Sequence, residues 1–96
     1  MVAEHAPVKL SDRPGINPVY LFRWEEREQA YVLLFPEGIV KLNDSAGKIL
    51  EHCTGEKTVE EIISALEEQF GTQGLKDDIC KFMEVSIGKN WLRIEA

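Results

Sequence analysis

The sequence predicts a small α+β domain, in which a three-stranded antiparallel sheet is followed by three helices, as in a winged helix-turn-helix fold with the sheet placed first. Three observations predict this order. Residues Tyr20–Glu26 alternate between an aromatic face and a mostly polar one, and Ala30–Phe35 is apolar throughout. Beyond Asp44, apolar residues recur at every third or fourth position. The length of 96 residues fits one domain that buries a core without disulfides or metal.

The three predicted strands lie between residues 20 and 42. Tyr20–Glu26 has the period-two pattern of a half-buried strand, and Ala30–Phe35, apolar on both faces, has the pattern of a covered central strand. The polar link between them is short, which predicts an antiparallel hairpin. A turn at Pro36-Glu37-Gly38 leads to a third short strand, Ile39–Leu42, expected at the edge of the sheet.

Capping signals and apolar stripes predict the helices. Asn43 or Asp44 is a natural N-cap for a first helix that runs to about Cys53. The pair Thr58 and Glu61 has the spacing of a capping box at the start of a second helix. The core stripe of this helix comprises Val59, Ile62, Ile63, Leu66 and Phe70, and a third helix from Leu75 to Ile87 or Gly88 carries Leu75, Ile79, Phe82, Met83 and Ile87.

The ends of the chain are expected to lie outside the folded domain. Three of the four prolines fall within residues 1–18, so this segment is predicted to be an irregular or extended arm whose first residues are disordered. The domain itself is predicted to span residues 19–92, followed by a tail at 93–96.

Charge and composition bear on the class of partner. The formal net charge of −6 opposes binding to phosphate backbones and to anionic membrane surfaces. No run is apolar and long enough to span a membrane, and Met1–Lys9 lacks the apolar stretch of a signal peptide. Two cysteines far apart do not suggest a disulfide scaffold. These features predict a cytoplasmic protein with free thiols that binds neither nucleic acid nor membrane.

No group of residues has the spacing of a catalytic or metal site. His52 is interpreted as a partly exposed helix-end residue, and Cys53 as a buried thiol with a raised pKa. Acidic neighbours disfavour a thiolate at Cys80. The paired carboxylates have the distribution of solvated helix faces. The sequence therefore predicts a protein that is not an enzyme and has no metal, no cofactor and no catalytic residue. The predicted third helix offers an acidic exposed face, which argues against a DNA-recognition helix.

A peptide-binding surface is the remaining interpretation. The predicted edge strand leaves backbone N–H and C=O groups unpaired, and an extended peptide can add itself there as a further strand. A proline at Val40 is expected to block that pairing. The third helix is expected to form the floor of an adjoining groove, although its four apolar residues can instead simply fill the core. The predicted peptide-binding residues are Ile39, Val40, Lys41, Leu42, Leu75, Ile79, Phe82 and Met83.

The sequence also resembles a known family. The string Arg23-Trp24-Glu25-Glu26, followed by Val32 to Asn43 (V-L-L-F-P-E-G-I-V-K-L-N), is similar to PqqD, the small protein D of pyrroloquinoline quinone (PQQ) biosynthesis. Ser45–Leu50, the Gly55 turn, Val59–Ile62 and Gly88-x-x-Trp91-Leu92 fit the same family, so that the resemblance covers roughly residues 13 to 92. Gly47 replaces an Ala often seen there, for which helix propensity predicts a cost of about 1 kcal/mol and little else.

The resemblance implies a stand-alone recognition element for a ribosomally made precursor peptide. Such a peptide chaperone binds the precursor, protein A of the pathway, as an added strand beside the third strand and against the third helix. It presents the peptide to a radical S-adenosylmethionine enzyme, protein E, which joins a Glu and a Tyr of the peptide. Lys41, Lys76 and Lys81 are expected to supply local positive charge. The alternative is a winged-helix DNA-binding transcriptional regulator, and the unpaired edge also leaves a homodimer open.

Overall fold

A computed structural model describes residues 7–95. The elements in chain order are β1 (Arg13–Ile16), β2 (Leu21–Glu25), β3 (Ala30–Phe35), β4 (Gly38–Lys41), α1 (Asp44–Glu51), α2 (Val59–Phe70), α3 (Lys76–Gly88) and β5 (Leu92–Glu95). The predictions of disordered first residues and of no signal peptide fall mainly on residues 1–6, outside this range. The predicted α+β class is confirmed, and β1 and β5 add a strand pair that was not predicted.

The three-stranded sheet has the order β2-β3-β4, and both of its pairings are antiparallel. Leu34 of β3 lies between Leu21 of β2 and Ile39 of β4. The predicted hairpin, the central place of β3 and the edge place of the third predicted strand, which is β4, are therefore confirmed. Val32 and Leu33 are both fully buried, so both faces of β3 are shielded at its centre, as its apolar pattern predicts.

The helices begin where the capping signals predict. The Asn43 side chain accepts a hydrogen bond of 2.8 Å from the backbone N–H of Ala46, so Asn43 and not Asp44 is the N-cap of α1. At α2 both bonds of the capping box form: Thr58 accepts from the Glu61 N–H, and Glu61 accepts from the Thr58 N–H. The helix ends at Gly71, whose φ of 65° lies in the left-handed region that glycine adopts without strain.

The predicted placement of residues 13–16 and 93–95 outside the folded domain is wrong, because both segments form strands of one ladder. β1 pairs with β5 in an antiparallel ladder that sets Arg13 opposite Glu95. Pro14 fits within this strand because its carbonyl accepts from the Gly55 N–H at 2.9 Å, which directs its backbone away from β5. Its missing N–H therefore removes no bond from the β1–β5 ladder.

The segment before β1 also has a structural role. The carbonyl of Asp12 accepts from the Val59 N–H at 2.8 Å, and that of Leu10 accepts from the Glu60 N–H at 3.0 Å. The first N–H groups of a helix have no partner within the helix. Residues before β1 thus supply acceptors to the start of α2 and tie the chain's N-terminal segment to the core.

A single core lies between the three-stranded sheet and the helices. α1 packs against β3, and α3 packs against α2 and β5. The largest fully buried side chains of the core cluster are Leu33, Leu50, Ile62, Leu66, Met83 and Leu92. Among residues 7–95, no helix is long and apolar enough to cross a membrane.

Gly47 marks a close approach of α1 and β3. A Cβ at this position would lie 2.5 Å from Cδ2 and 3.1 Å from Cβ of Tyr31, whereas carbon atoms normally pack at about 3.5–4.0 Å. The glycine is therefore more than a weak helix former, and the prediction that it matters only through helix propensity is wrong. The absence of a side chain there lets the Tyr31 ring lie against the helix.

Candidate functional site

The free edge of β4 is the first component of the candidate site. The Leu42 N–H, one residue beyond the strand, donates to the Tyr31 carbonyl at 2.9 Å, and Val40 lies opposite Leu33. Backbone groups alternate in direction along an antiparallel strand. The N–H and C=O of Val40 therefore point to β3, while those of Ile39 and Lys41 point outwards. The expectation that a proline at Val40 would block the edge is corrected by this register, because that N–H faces β3.

The side chains of β4 divide between the core and the surface. Ile39 is 54% exposed, and Lys41 is exposed with its Nζ 3.4 Å from a Glu28 carboxylate oxygen. Val40 is half-buried against the core, and Leu42 is buried. Of the four predicted peptide-binding residues in this segment, Ile39 and Lys41 are thus the two that face solvent with both side chain and backbone.

The four predicted floor residues on α3 differ in burial. Ile79 and Met83 belong to the core, with exposures of 3% and 0%. Leu75 and Phe82 are half-buried and pack against it. The alternative that these residues fill the core therefore holds for Ile79 and Met83, and a direct peptide contact remains a prediction for all four.

A cavity between the three helices is a second component, and it was not predicted. Its volume is about 340 Å³. The lining is mainly apolar and consists of Ser45 and Ile49 of α1, Leu66 and Phe70 of α2, Thr72, and Leu75, Asp78 and Ile79 at the start of α3. Two of the predicted floor residues, Leu75 and Ile79, thus line this cavity.

A larger depression of about 410 Å³ lies beside the C-terminal half of α2. Its lining is polar and includes the carboxylates of Glu67 and Glu68. Because it lacks an apolar floor, it is less suited to a peptide side chain than the cavity between the helices, although it is larger.

Phe70 is the residue from which the cavity could have been predicted, but it was assigned to the buried stripe of α2. The prediction that the whole α2 stripe is buried is wrong for this residue, which is 49% exposed, while Leu66 one turn earlier is fully buried. The helix ends directly afterwards at Gly71, so no further turn covers the ring. An aromatic residue at the last turn of a helix has fewer neighbours than the same residue in the middle.

The reactive side chains of the described residues favour binding over covalent chemistry. Burial raises the pKa of Cys53 to about 12, as predicted. The pKa of Cys80 is also raised, first by burial and then by the charge of Glu84. Both thiols therefore stay protonated at neutral pH. Within residues 7–95, no group of three or more His, Cys, Asp or Glu side chains is arranged to hold a metal ion.

Ionisable groups near the hairpin make local pairs. Tyr31 donates a hydrogen bond of 2.7 Å to Glu51, which raises the pKa of the phenol. Arg23 bonds to Glu25 at 2.9 Å and lowers the pKa of that carboxyl group. His52, the C-cap residue of α1, is half-exposed as predicted. These contacts stabilise local geometry, and none joins an acid to a base in a buried site.

Comparisons with known proteins give one consistent result. The model of the family "Coenzyme PQQ synthesis protein D (PqqD)" matches residues 30–92. The PqqA binding protein of Azotobacter vinelandii is 38% identical over 86 residues, covering 88% of this chain and 94% of that protein. The PqqA binding protein of Pseudomonas putida W619 is 44% identical over 82 residues, covering 84% and 90%.

A solved structure extends the similarity to the fold. The solution NMR structure of the PqqD truncation of Methylobacterium extorquens PqqCD, described as a functional and stand-alone recognition element for ribosomally made, modified peptides, matches with a TM-score of 0.74. The sequences are 26% identical, and the match covers 90% of this chain and 94% of that one. Nothing in these comparisons supports the DNA-binding alternative.

Proposed function

This chain belongs to the PqqD family, and from that premise we propose that it binds the PqqA precursor peptide and presents it for modification in PQQ biosynthesis. The observation that carries the proposal is the free edge of β4. Relatives that share 38% and 44% of their aligned residues with this chain are named for binding PqqA, and they align over most of its length.

The edge of β4 offers the backbone groups that an added strand needs. The N–H and C=O groups of Ile39 and Lys41 point away from β3 and take no part in the sheet. An extended peptide satisfies such groups by pairing alongside them, which gives affinity without dependence on sequence. The exposed Ile39 side chain adds apolar contact on the outer face of the same edge.

The local charge at the edge is less unfavourable to carboxylates of a bound peptide than the net charge of −6 suggests. Lys41 lies on the edge strand itself, and its partner Glu28 is exposed, so this ion pair costs little to rearrange. Lys76 and Lys81 of α3 are exposed. We expect apolar contacts and backbone hydrogen bonds to dominate the affinity, with these lysines limiting repulsion.

The same proposal assigns the chemical step to a partner enzyme in the cytoplasm. That partner is a radical S-adenosylmethionine enzyme, which joins a Glu and a Tyr of the peptide. Support comes from the family resemblance and from the raised pKa values of Cys53 and Cys80, which make both thiols weak nucleophiles. A homodimer through the β4 edge stays a prediction, and it would compete with the peptide for the same backbone groups.

A proline at Lys41 tests the binding edge. Lys41→Pro removes an outward N–H at an edge position, where proline is tolerated, and Lys41→Ala is the matched control that keeps the N–H. We expect calorimetric titration with synthetic PqqA to show at least about ten-fold weaker binding for Lys41→Pro, and about two-fold for Lys41→Ala. Equal affinities of the two variants, with unchanged melting temperatures, would move the peptide to another surface.

A further inference from the structure

The apolar stripe of α2 ends in a residue that the fold leaves uncovered. Val59, Ile62, Ile63 and Leu66 are between 0% and 7% exposed, yet Phe70 of the same stripe is 49% exposed. Its ring borders the cavity between the three helices. An exposed aromatic side chain on an open apolar cavity is typical of a surface that binds another molecule.

The cavity has the size and chemistry for an apolar side chain. Its volume of about 340 Å³ exceeds that of any single residue's side chain, so an aliphatic or aromatic group enters without displacing the walls. Ile49, Leu66 and Ile79 provide the inner wall, each 8% exposed or less, so the wall is held by the core. A preformed wall of this kind lowers the entropy cost of binding.

One residue that lines the cavity lies close in sequence to the candidate peptide edge of β4. Ser45, which lines it, is in the first turn of α1 and follows Lys41 by four residues. A peptide strand on β4 that continues past Lys41 therefore runs towards this turn. Leu75, the N-cap of α3, and Ile79 in its first turn also line the cavity.

On the basis of the proposed function, we propose that the cavity is an anchor pocket for one aliphatic or aromatic side chain of the precursor peptide. The anchor residue adjoins the part of the peptide that pairs with β4. The Asp78 carboxylate lines the cavity and takes part in none of the ion pairs within residues 7–95. Its charge disfavours an acidic side chain, so the pocket favours an uncharged apolar residue of the peptide.

Two pocket variants and one matched control test this proposal. Phe70→Ala removes one wall, and Ser45→Trp fills the cavity from an exposed position without emptying the core. Val85→Ala is the control, because Val85 is an apolar α3 side chain of similar exposure, 45%, that does not line the cavity. We expect calorimetric titration with synthetic PqqA to show at least about ten-fold weaker binding for each pocket variant and at most about two-fold for the control.

Alanine substitutions in the peptide identify the anchor. One apolar residue of PqqA, changed to Ala, should weaken binding to the unsubstituted protein but cause no further loss with Phe70→Ala. If both pocket variants bind like the unsubstituted protein while Lys41→Pro does not, the pocket assignment is wrong and the proposed function stands. If the unsubstituted protein does not bind PqqA, the proposed function itself fails. Thermal melting of each variant establishes that the fold is intact, and Ser45→Trp decides the question should Phe70→Ala unfold.

Discussion

Gly47→Ala offers a sharp test of how α1 packs on β3. In an exposed helix interior this change stabilises a protein by about 1 kcal/mol, because alanine is the better helix former. Here the new Cβ would lie 2.5 Å from Cδ2 and 3.1 Å from Cβ of Tyr31. Rotation of the ring relieves the first contact but not the second, since the Tyr31 Cβ is fixed to the strand. Relief therefore requires α1 and β3 to move apart.

Several contacts of Tyr31 oppose such a movement. Its ring stacks on Phe22 with a centroid distance of 5.0 Å and forms a T-shaped pair with Trp24 at a centroid distance of 5.2 Å, and its hydroxyl donates to Glu51. Overpacking of this kind costs about 1–3 kcal/mol, and each aromatic pair contributes about 0.5–1.5 kcal/mol. We expect the clash to exceed the gain in propensity, so that Gly47→Ala lowers the unfolding free energy by roughly 1–2 kcal/mol.

A double-mutant cycle separates the two effects. In a Tyr31→Gly background both the ring and the Cβ are absent, and Gly47→Ala should raise the unfolding free energy by about 1 kcal/mol. Urea unfolding of the four proteins, followed by circular dichroism, measures this change of sign. A shift of 1 kcal/mol corresponds to about 4–8 °C in melting temperature for a domain of this size. If Gly47→Ala were equally stabilising in both backgrounds, the close approach would play no part.

Two further predictions concern a buried thiol and a buried hydroxyl. Because its pKa is about 12, Cys53 should react with iodoacetamide at pH 8 only when the protein unfolds. Cys80 is less buried and should be alkylated first in the native protein. Mass spectrometry of the digested protein measures the order of labelling, and labelling of Cys53 first would contradict the prediction. The Ser86 hydroxyl is fully buried and has no hydrogen-bond partner within residues 7–95. The control is Ser64→Ala, at an exposed site in α2. Ser86→Ala should raise the unfolding free energy by about 0.5–2 kcal/mol more than this control does, because it removes an unpaired buried hydroxyl. Equal effects of the two serine substitutions in urea unfolding would show that the buried hydroxyl costs nothing.

Local patterns were sufficient for most of the fold. The alternation in β2, the apolar run of β3 and the caps at Asn43 and Thr58 depend on neighbours within a few residues, and each was predicted correctly. β1 and β5 were missed because their pairing joins residues about 80 positions apart, and because Pro14 suggests an irregular segment. No local pattern carries information about such a distant partner.

The candidate site shows the same division. The edge place of β4 follows from the order of the strands, so it was predictable. The hydrogen-bond register with β3 determines which backbone groups of β4 face outwards, and the periodicity of side chains does not determine that register. Val40 was therefore chosen for the proline substitution, although Lys41 is the residue whose N–H faces away from β3. The cavity beside Phe70 arises from the meeting of three helices, and no one of their sequence patterns contains it.

The β1–β5 ladder has a consequence for how the chain folds and comes apart. Formation of the ladder closes a loop that contains every other element. The entropy cost of closing this loop is lower once the sheet and helices between β1 and β5 have assembled, because those segments are then already ordered. We therefore expect the ladder to form late and to exchange its amide hydrogens earlier than β3 does. Loosening β5 leaves β1 held on its other side by its bonds with Cys53 and Gly55, and the acceptors that Leu10 and Asp12 supply to α2 are then held less firmly.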